Sequence, residues 1–240
     1  NYWLCYIDTK TGELILKKNL LLQCHVPNLS NQHRHSATCT EEAHNNNTKT
    51  HLTVNEALAQ SAVTNSYRVF PIPVESPIHG NHSIILDPAS TFASPSGWHD
   101  DGTTQWMIPR GNNTFAFVDR NADGNPDSAS PNGGTSLDFD FPFNANNDPS
   151  TMKEASAVNL FYVSNIMHDF SYYYGFDEAA GNFQKDNFGN GGEEDDIVMA
   201  RAQYGADANS TYYNNAEFST APDGQPAVMN MAVWDSNYGN

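Results

Sequence analysis

One stretch limits the fold of this chain more than any other. Between Thr151 and Gly175, apolar residues (Val158, Leu160, Phe161, Tyr162, Val163, Ile166, Met167, Phe170, Tyr173, Tyr174) recur at helical spacing and cover more than one face. Thr151 and Glu154 stand at the spacing of a capping box, and Gly175 supplies a C-terminal stop. The spacing predicts a helix over residues 151–175, roughly 36 Å long and buried on most sides. The other helical signal is a short one at 55–63. Elsewhere short β-rich runs alternate with loops dense in Gly, Pro, Asn and Asp. The runs are Ser66–Val74 (edge-like, because of Pro71 and Pro73), Ser83–Leu86, Asn113–Val118, Asp196–Arg201 and Ala227–Trp234, with an extended stretch at Asn214–Phe218. The expected class is α+β, a β-rich body around one long buried helix.

Charge divides the chain. Residues 1–63 hold five acids and five bases, so residues 64–240 carry the whole net charge of −17. Cys5, Cys24 and Cys39 all fall in the first part. Two bodies joined near residue 63 are therefore expected, 1–63 and 64–240. The acidity excludes sequence-independent binding to nucleic acid or to an anionic membrane, since both partners would be repelled. No run approaches 18 uninterrupted apolar residues, so no membrane-spanning helix is expected. The 28 aromatic residues (4 Trp, 11 Tyr, 13 Phe) argue against reading the acidity as disorder.

The first body opens with two β-rich runs, Tyr2–Ile7 and Glu13–Leu16, around a polar stretch ending in Gly12, the pattern of a hairpin. Residues 23–55 are polar and aperiodic and read as a linker. The chain begins inside a strand-like pattern without a signal peptide, and is read as a piece of a longer secreted precursor. Five sequons, at Asn28, Asn46, Asn81, Asn112 and Asn209, fit a secreted chain. Three cysteines allow at most one internal disulfide.

Several constellations bear on chemistry. Asp119, Asn121, Asp123 and Asp127, with Gly124 between them, follow the first half of a calcium loop. Position twelve of that pattern is Ser130, so the bidentate carboxylate is missing; the competing reading is a plain Asx/Gly turn. The acidic run Glu193–Asp196 reads as a solvated loop, or as a second calcium ligand set. His33 and His35, near Cys24, His25 and Cys39, fit no standard zinc spacing and read as solvated loop histidines. His99 and His168 stand out as partly buried, either as general bases or as hydrogen-bonded structural histidines. No His-Glu-x-x-His is present, and no two histidines stand four apart.

From residue 66 onward the chain closely resembles the fungalysin family of secreted zinc metallopeptidases. The resemblance rests on Ser66–Pro71, Ala93–Asp100, Arg110–Asn113, Asn159–Asp169, Tyr174–Phe176, Ala180–Gln184, Asn214–Phe218, Pro222–Gln225 and Met229–Met231, in order over roughly 66–234. The first body looks like the tail of the family's propeptide. The resemblance implies a thermolysin-like fold, with a cleft between a β-rich and a helical half, and zinc as cofactor. It places the zinc ligands after Asn240, so that the chain alone should not hydrolyse peptides. Asn215 and Ala216, in Asn215-Ala216-Glu217-Phe218, match the family's substrate-binding edge strand, whose main chain pairs with an extended substrate. The implied partners are protein or peptide substrates, the zinc-binding half and the rest of the propeptide. In the intact parent the chemistry would be metal-assisted hydrolysis, and calcium is a second possible cofactor. A non-catalytic, calcium-dependent extracellular binding module is the alternative. Without its other half the chain should expose one side of helix 151–175 and be poorly stable.

Overall fold

The computed structural model describes residues 3–7, 14–19, 65–128 and 130–235. The expectations for Cys24, Cys39, His25, His33, His35, Asn28, Asn46, the linker and the short helix at 55–63 lie outside these residues. The chain divides into two compact units, Asn1–Ala57 and Leu58–Asn240. In the first, strands β1 (Trp3–Ile7) and β2 (Leu14–Asn19) pair antiparallel, with a register irregularity between Tyr6 and Ile7.

Among the described residues the second unit holds two sheets and one α-helix, an α+β arrangement. Strands β3 (Ser66–Val69), β4 (Ser83–Leu86), β5 (Thr114–Val118) and β6 (Asp138–Phe139) precede the helix α1 (Lys153–Tyr172). Strands β7 (Val198–Ala202), β8 (Ala216–Ser219) and β9 (Ala227–Met231) follow it. The smaller sheet has the order β4-β3-β6 and the larger β5-β7-β9-β8. In the larger sheet β5, β7 and β9 run parallel, and β8 is antiparallel at the edge. Strand β3 stops at Val69, just before the two prolines that cannot donate to a ladder.

The helix starts differently from the sequence expectation. Pro149–Thr151 form a 3-10 turn capped by Asp148, whose carboxylate accepts from the Ser150 N–H at 2.8 Å. The Thr151 hydroxyl donates back to the Asp148 carbonyl at 2.7 Å, so no capping box with Glu154 forms. The C-terminus follows expectation. Phe176 N–H donates to Ser171 O and Gly175 N–H to Tyr172 O, both at 3.1 Å, the paired bonds of a Schellman end. Gly175, at φ +91°, occupies the left-handed position that motif requires.

The helix is not buried on most sides, as its apolar pattern suggested; it exposes one side, as expected of the chain without its other half. Its buried residues are Ala155, Ala157, Val158, Phe161, Tyr162, Asn165 and Asp169. These pack over β3, β5 and β7. Met167, Phe170, Tyr173 and Tyr174 are exposed. The cause is architectural: the unit covers the helix from one side.

Small residues set the fit where the helix lies. Ala116 on β5 pairs across to Ala200 on β7, both fully buried, and Ala157 of the helix is also fully buried. The missing side-chain bulk lets α1 approach the sheet closely. Beyond it the core is aromatic. Tyr67, Trp98, His99, Phe139 and Phe161 interlock with ring centroids 4.7–6.3 Å apart. Each fully buried large side chain contributes about 1.5–3 kcal/mol.

Candidate substrate edge and apolar trough

Strand β8 ends the larger sheet, and all four of its residues are exposed. The turn before it is fixed by Asn214, at φ +59°, whose side chain exchanges two hydrogen bonds with Asp235 at 2.8 and 3.1 Å. Ala232 N–H donates inward to the Asn215 carbonyl at 3.1 Å. Alternation along an antiparallel strand then turns the main chain of Ala216 and Phe218 toward the open edge. The Ala216 N–H is met by its neighbour's side chain, the Asn215 Oδ1 at 3.0 Å. The Ala216 carbonyl and both main-chain groups of Phe218 therefore face outward. Asn215 and Ala216, the residues singled out from the sequence, stand together at the start of this edge.

Beneath the edge lies an open trough of about 500 Å³. It forms where the helix-side face of β9 and β8 extends past α1. Leu160, Val163 and Met167 of the helix line one wall, and Met229, Met231 and Phe218 the other. Phe218 continues into a chain of edge-on rings, with Phe183 at 5.8 Å and Phe176 a further 5.7 Å on. The lining also includes polar groups. The Nδ2 of Asn113, a buried residue, donates to Ser94 Oγ and Asn165 Oδ1, while its Oδ1 has no partner among the described residues; nor has Ser164 Oγ.

His168 borders the trough and is held at both nitrogens. Its Nδ1 lies 3.0 Å from Asp169 Oδ1, and its Nε2 3.4 Å from Asn182 Nδ2. Asp169 is the hub of this end of the helix. It accepts from Ser90 N–H, Ser94 Oγ–H and Trp98 Nε1–H as well, at 2.6–2.9 Å. The pair thus stitches the helix to the 90–98 loop.

His99 is enclosed in the aromatic core, with Nε2 at 2.9 Å from Tyr67 Oη and Nδ1 at 3.0 Å from Ile108 O. Burial lowers its pKa to about 4. Both nitrogens are engaged inside the core, so its role is structural.

The four residues expected to bind calcium lie in one loop, and each has at least one side-chain oxygen engaged by a backbone N–H within it. Asp119 is fully buried and accepts from Asp123 N–H and Gly124 N–H at 3.1 and 3.0 Å. Burial pushes its carboxyl up, and Arg201 Nε stands 3.7 Å from it. Asn121 Oδ1 accepts from Asp123 N–H, Asp123 Oδ1 from Asn125 N–H, and Asp127 from Arg120 N–H. In the acidic run Glu193–Asp196, Asp195 pairs with Lys185. Asp196 is buried, its carboxyl raised by that burial, and accepts from Gln184 and Gly224 N–H.

Zinc takes three or four His, Cys, Asp or Glu ligands. Among the described residues no group of three such side chains gathers anywhere. These residues do not fit a zinc site, and no step of zinc chemistry is assigned to them.

Sequence reasoning identified the edge but missed the trough. Its signal was available in part: Met229 and Met231 alternate on one face of β9, with Phe218 opposite Met229.

The family described as fungalysin metallopeptidase (M36) matches residues 66–240. Extracellular metalloproteinase 1 of Phaeosphaeria nodorum is 40% identical over 174 residues, which cover 71% of this chain and 26% of that protein. Extracellular metalloproteinase 5 of Trichophyton tonsurans is 38% identical over 172 residues, 70% of this chain and 27% of the relative. Extracellular metalloproteinase 9 of Uncinocarpus reesii is 35% identical over 187 residues, 73% and 27% respectively. The chain thus spans about a quarter of the length of the curated relatives it matches. The matched segment takes in the helix, the edge strand and the trough, and the chain belongs to the fungalysin metallopeptidase family.

Proposed function

We propose that this chain is part of a secreted, zinc-dependent endopeptidase with a thermolysin-like catalytic domain, and that its share of the work is to bind substrate. The observation that carries the reading is the free edge of β8. Outward main-chain groups at Ala216 and Phe218 suit an extended peptide, which can add to the sheet as a further strand. Recognition through the backbone accepts many sequences, as an endopeptidase requires. The Asn215 side chain, at the head of the strand, is placed to hydrogen-bond the same backbone.

The trough supports the second half of the reading. An open apolar wall beside a substrate edge is costly in water unless another part of the molecule covers it. We assign it as the seat of the part of the catalytic domain that holds zinc, which lies in the three quarters of the relatives that this chain does not match. Zinc there would supply a polarised carbonyl and an acidified water. This chain's residues hold and orient the peptide. The residues before 64 are assigned to the propeptide tail.

Substitution of Asn215 by Ala in the full-length enzyme tests the reading. Loss of one or two hydrogen bonds to substrate should lower kcat/KM by about tenfold, from about 1.4 kcal/mol of lost binding. Unchanged kcat/KM with extended peptides would remove the edge from the substrate site.

A further inference from the structure

Three sequons fall in the described part of the second unit, and the structure treats them differently. Asn81, before β4, is exposed. Asn209 is exposed as well, and its Oδ1 accepts from Thr211 N–H at 3.0 Å. That Asx turn brings the Asn side chain and the Thr of the sequon together and leaves the Nδ2 without a role in the fold.

Asn112 is the opposite case. It is 3% exposed, and both ends of its amide are engaged. Its Nδ2 donates to Asp186 O at 2.9 Å, and its Oδ1 accepts from Asp186 N–H at 2.8 Å. Its own carbonyl accepts from Lys185 N–H at 2.7 Å. Thr114, the third residue of the sequon, is 1% exposed and donates its hydroxyl to Val198 O. The surroundings have no room to give: a Cβ on the preceding Gly111 would stand 1.7 Å from Trp98 O. A sugar on Asn112 Nδ2 would break the clamp to Asp186 at a side chain that is almost fully enclosed.

We propose that Asn81 and Asn209 carry N-linked glycans in the secreted protein, and that Asn112, despite the same signal, is unmodified in every folded molecule. The inference rests on the secreted reading above. The co-reactant is a lipid-diphosphate-linked oligosaccharide. Transfer joins Asn Nδ2 to the anomeric carbon, breaks the carbon–oxygen bond to the diphosphate, releases the lipid diphosphate and passes an Nδ2 proton to the transferase. Because transfer acts on the unfolded chain, Asn112 is open to it; folding then sorts the products. A chain modified at Asn112 cannot close the clamp between the 111–114 and 184–187 segments.

The test is synthesis of the full chain behind a supplied secretory leader in the presence of endoplasmic-reticulum microsomes. The supplied leader makes the result independent of natural export and of peptidase activity. Molecules that resist brief proteolysis are separated from those that do not. Both pools are then treated with peptide N-glycosidase in heavy-oxygen water and mapped by mass spectrometry. The resistant pool should show labelled Asp at positions 81 and 209 and unlabelled Asn at 112. Any modification at 112 should be confined to the sensitive pool. Label at 112 in resistant molecules would overturn the proposal. So would unmodified Asn81 and Asn209 beside a glycosylated control protein, or the absence of any resistant pool, since Asn112 would then not be enclosed.

Discussion

Acid should weaken the second unit through one buried histidine. His99 is 2% exposed, stacked on Phe139 at 5.0 Å and tilted against Phe161 at 4.7 Å, and neutral in the folded state because burial lowers its pKa to about 4. The unfolded chain titrates it near the ordinary imidazole value of 6.5. Between pH 6.5 and 4 the unfolded state therefore holds the extra proton, and stability falls as pH falls. Above 6.5 the effect is absent; below 4 it is complete. At about 1.4 kcal/mol per pKa unit, some 3 kcal/mol is lost by pH 4. His82, also lowered by burial, acts in the same direction, whereas the carboxyls of Asp119 and Asp196, raised by burial, act in the opposite one. Asp101, held at about 2 although burial opposes it, by Trp106 and by Thr103 and Thr104, loses its contribution only below the ordinary carboxylate range. The assay is urea unfolding at steps from pH 7 to 4, read by tryptophan fluorescence, for the parent chain and His99→Phe. The variant should start about 1–3 kcal/mol lower at pH 7, with Tyr67 Oη deprived of its His99 partner, and should lack most of the slope between 6.5 and 4. A variant with the parent's full slope would refute the assignment of that slope to His99.

Other substitutions probe the remaining parts. Asp169→Asn replaces one of two accepting oxygens, each of which serves two donors, and should cost about 3 kcal/mol in urea unfolding; a loss under 1 kcal/mol would mean that the hub is not formed. Gly111→Ala drives a methyl into the Trp98 carbonyl and should cost about 3 kcal/mol, whereas Gly97→Ala meets nothing and is limited to the strain of its φ of +75°. Phe161→Ala in the closed core should cost about 3–5 kcal/mol, while Met167→Glu, half exposed at the trough, should stay within about 0.5 kcal/mol and reduce self-association in light scattering. Millimolar calcium should leave the melting temperature unchanged, because Arg201 faces Asp119 and a backbone N–H already bonds each of its carboxylate oxygens; a calcium-dependent rise would support the cation reading of the 119–127 loop.

The legible features were local ones. Period, a glycine stop and alternation identified α1 and most strands, because each signal is contained within a few residues of chain. The helix start was misread for an equally local reason. Thr151 and Glu154 have the right spacing for a capping box, but Asp148-Pro149 three residues earlier starts a tighter turn and engages the Thr151 hydroxyl first. The 119–127 spacing is likewise real, since the oxygens do converge on a turn. Spacing cannot say whether they converge on a cation or on the turn's own N–H groups.

Burial was the harder inference, and helix α1 shows why. Phe161 and Met167 contribute equally to its apolar pattern, yet Phe161 is 1% exposed and Met167 48%. Periodicity reports that a face is apolar; which element covers it depends on where the sheet ends. The sheet ends at β8, beyond the reach of the helix, so the apolar face splits into a closed core over β5 and β7 and an open trough beside β9. The same geometry leaves β8 without a neighbour on its outer side among the described residues. The unpaired edge and the uncovered wall are therefore two consequences of one fact, the overhang of β9 and β8 past α1. The edge and the trough on which the proposed function rests therefore lie side by side because the sheet runs on past the helix.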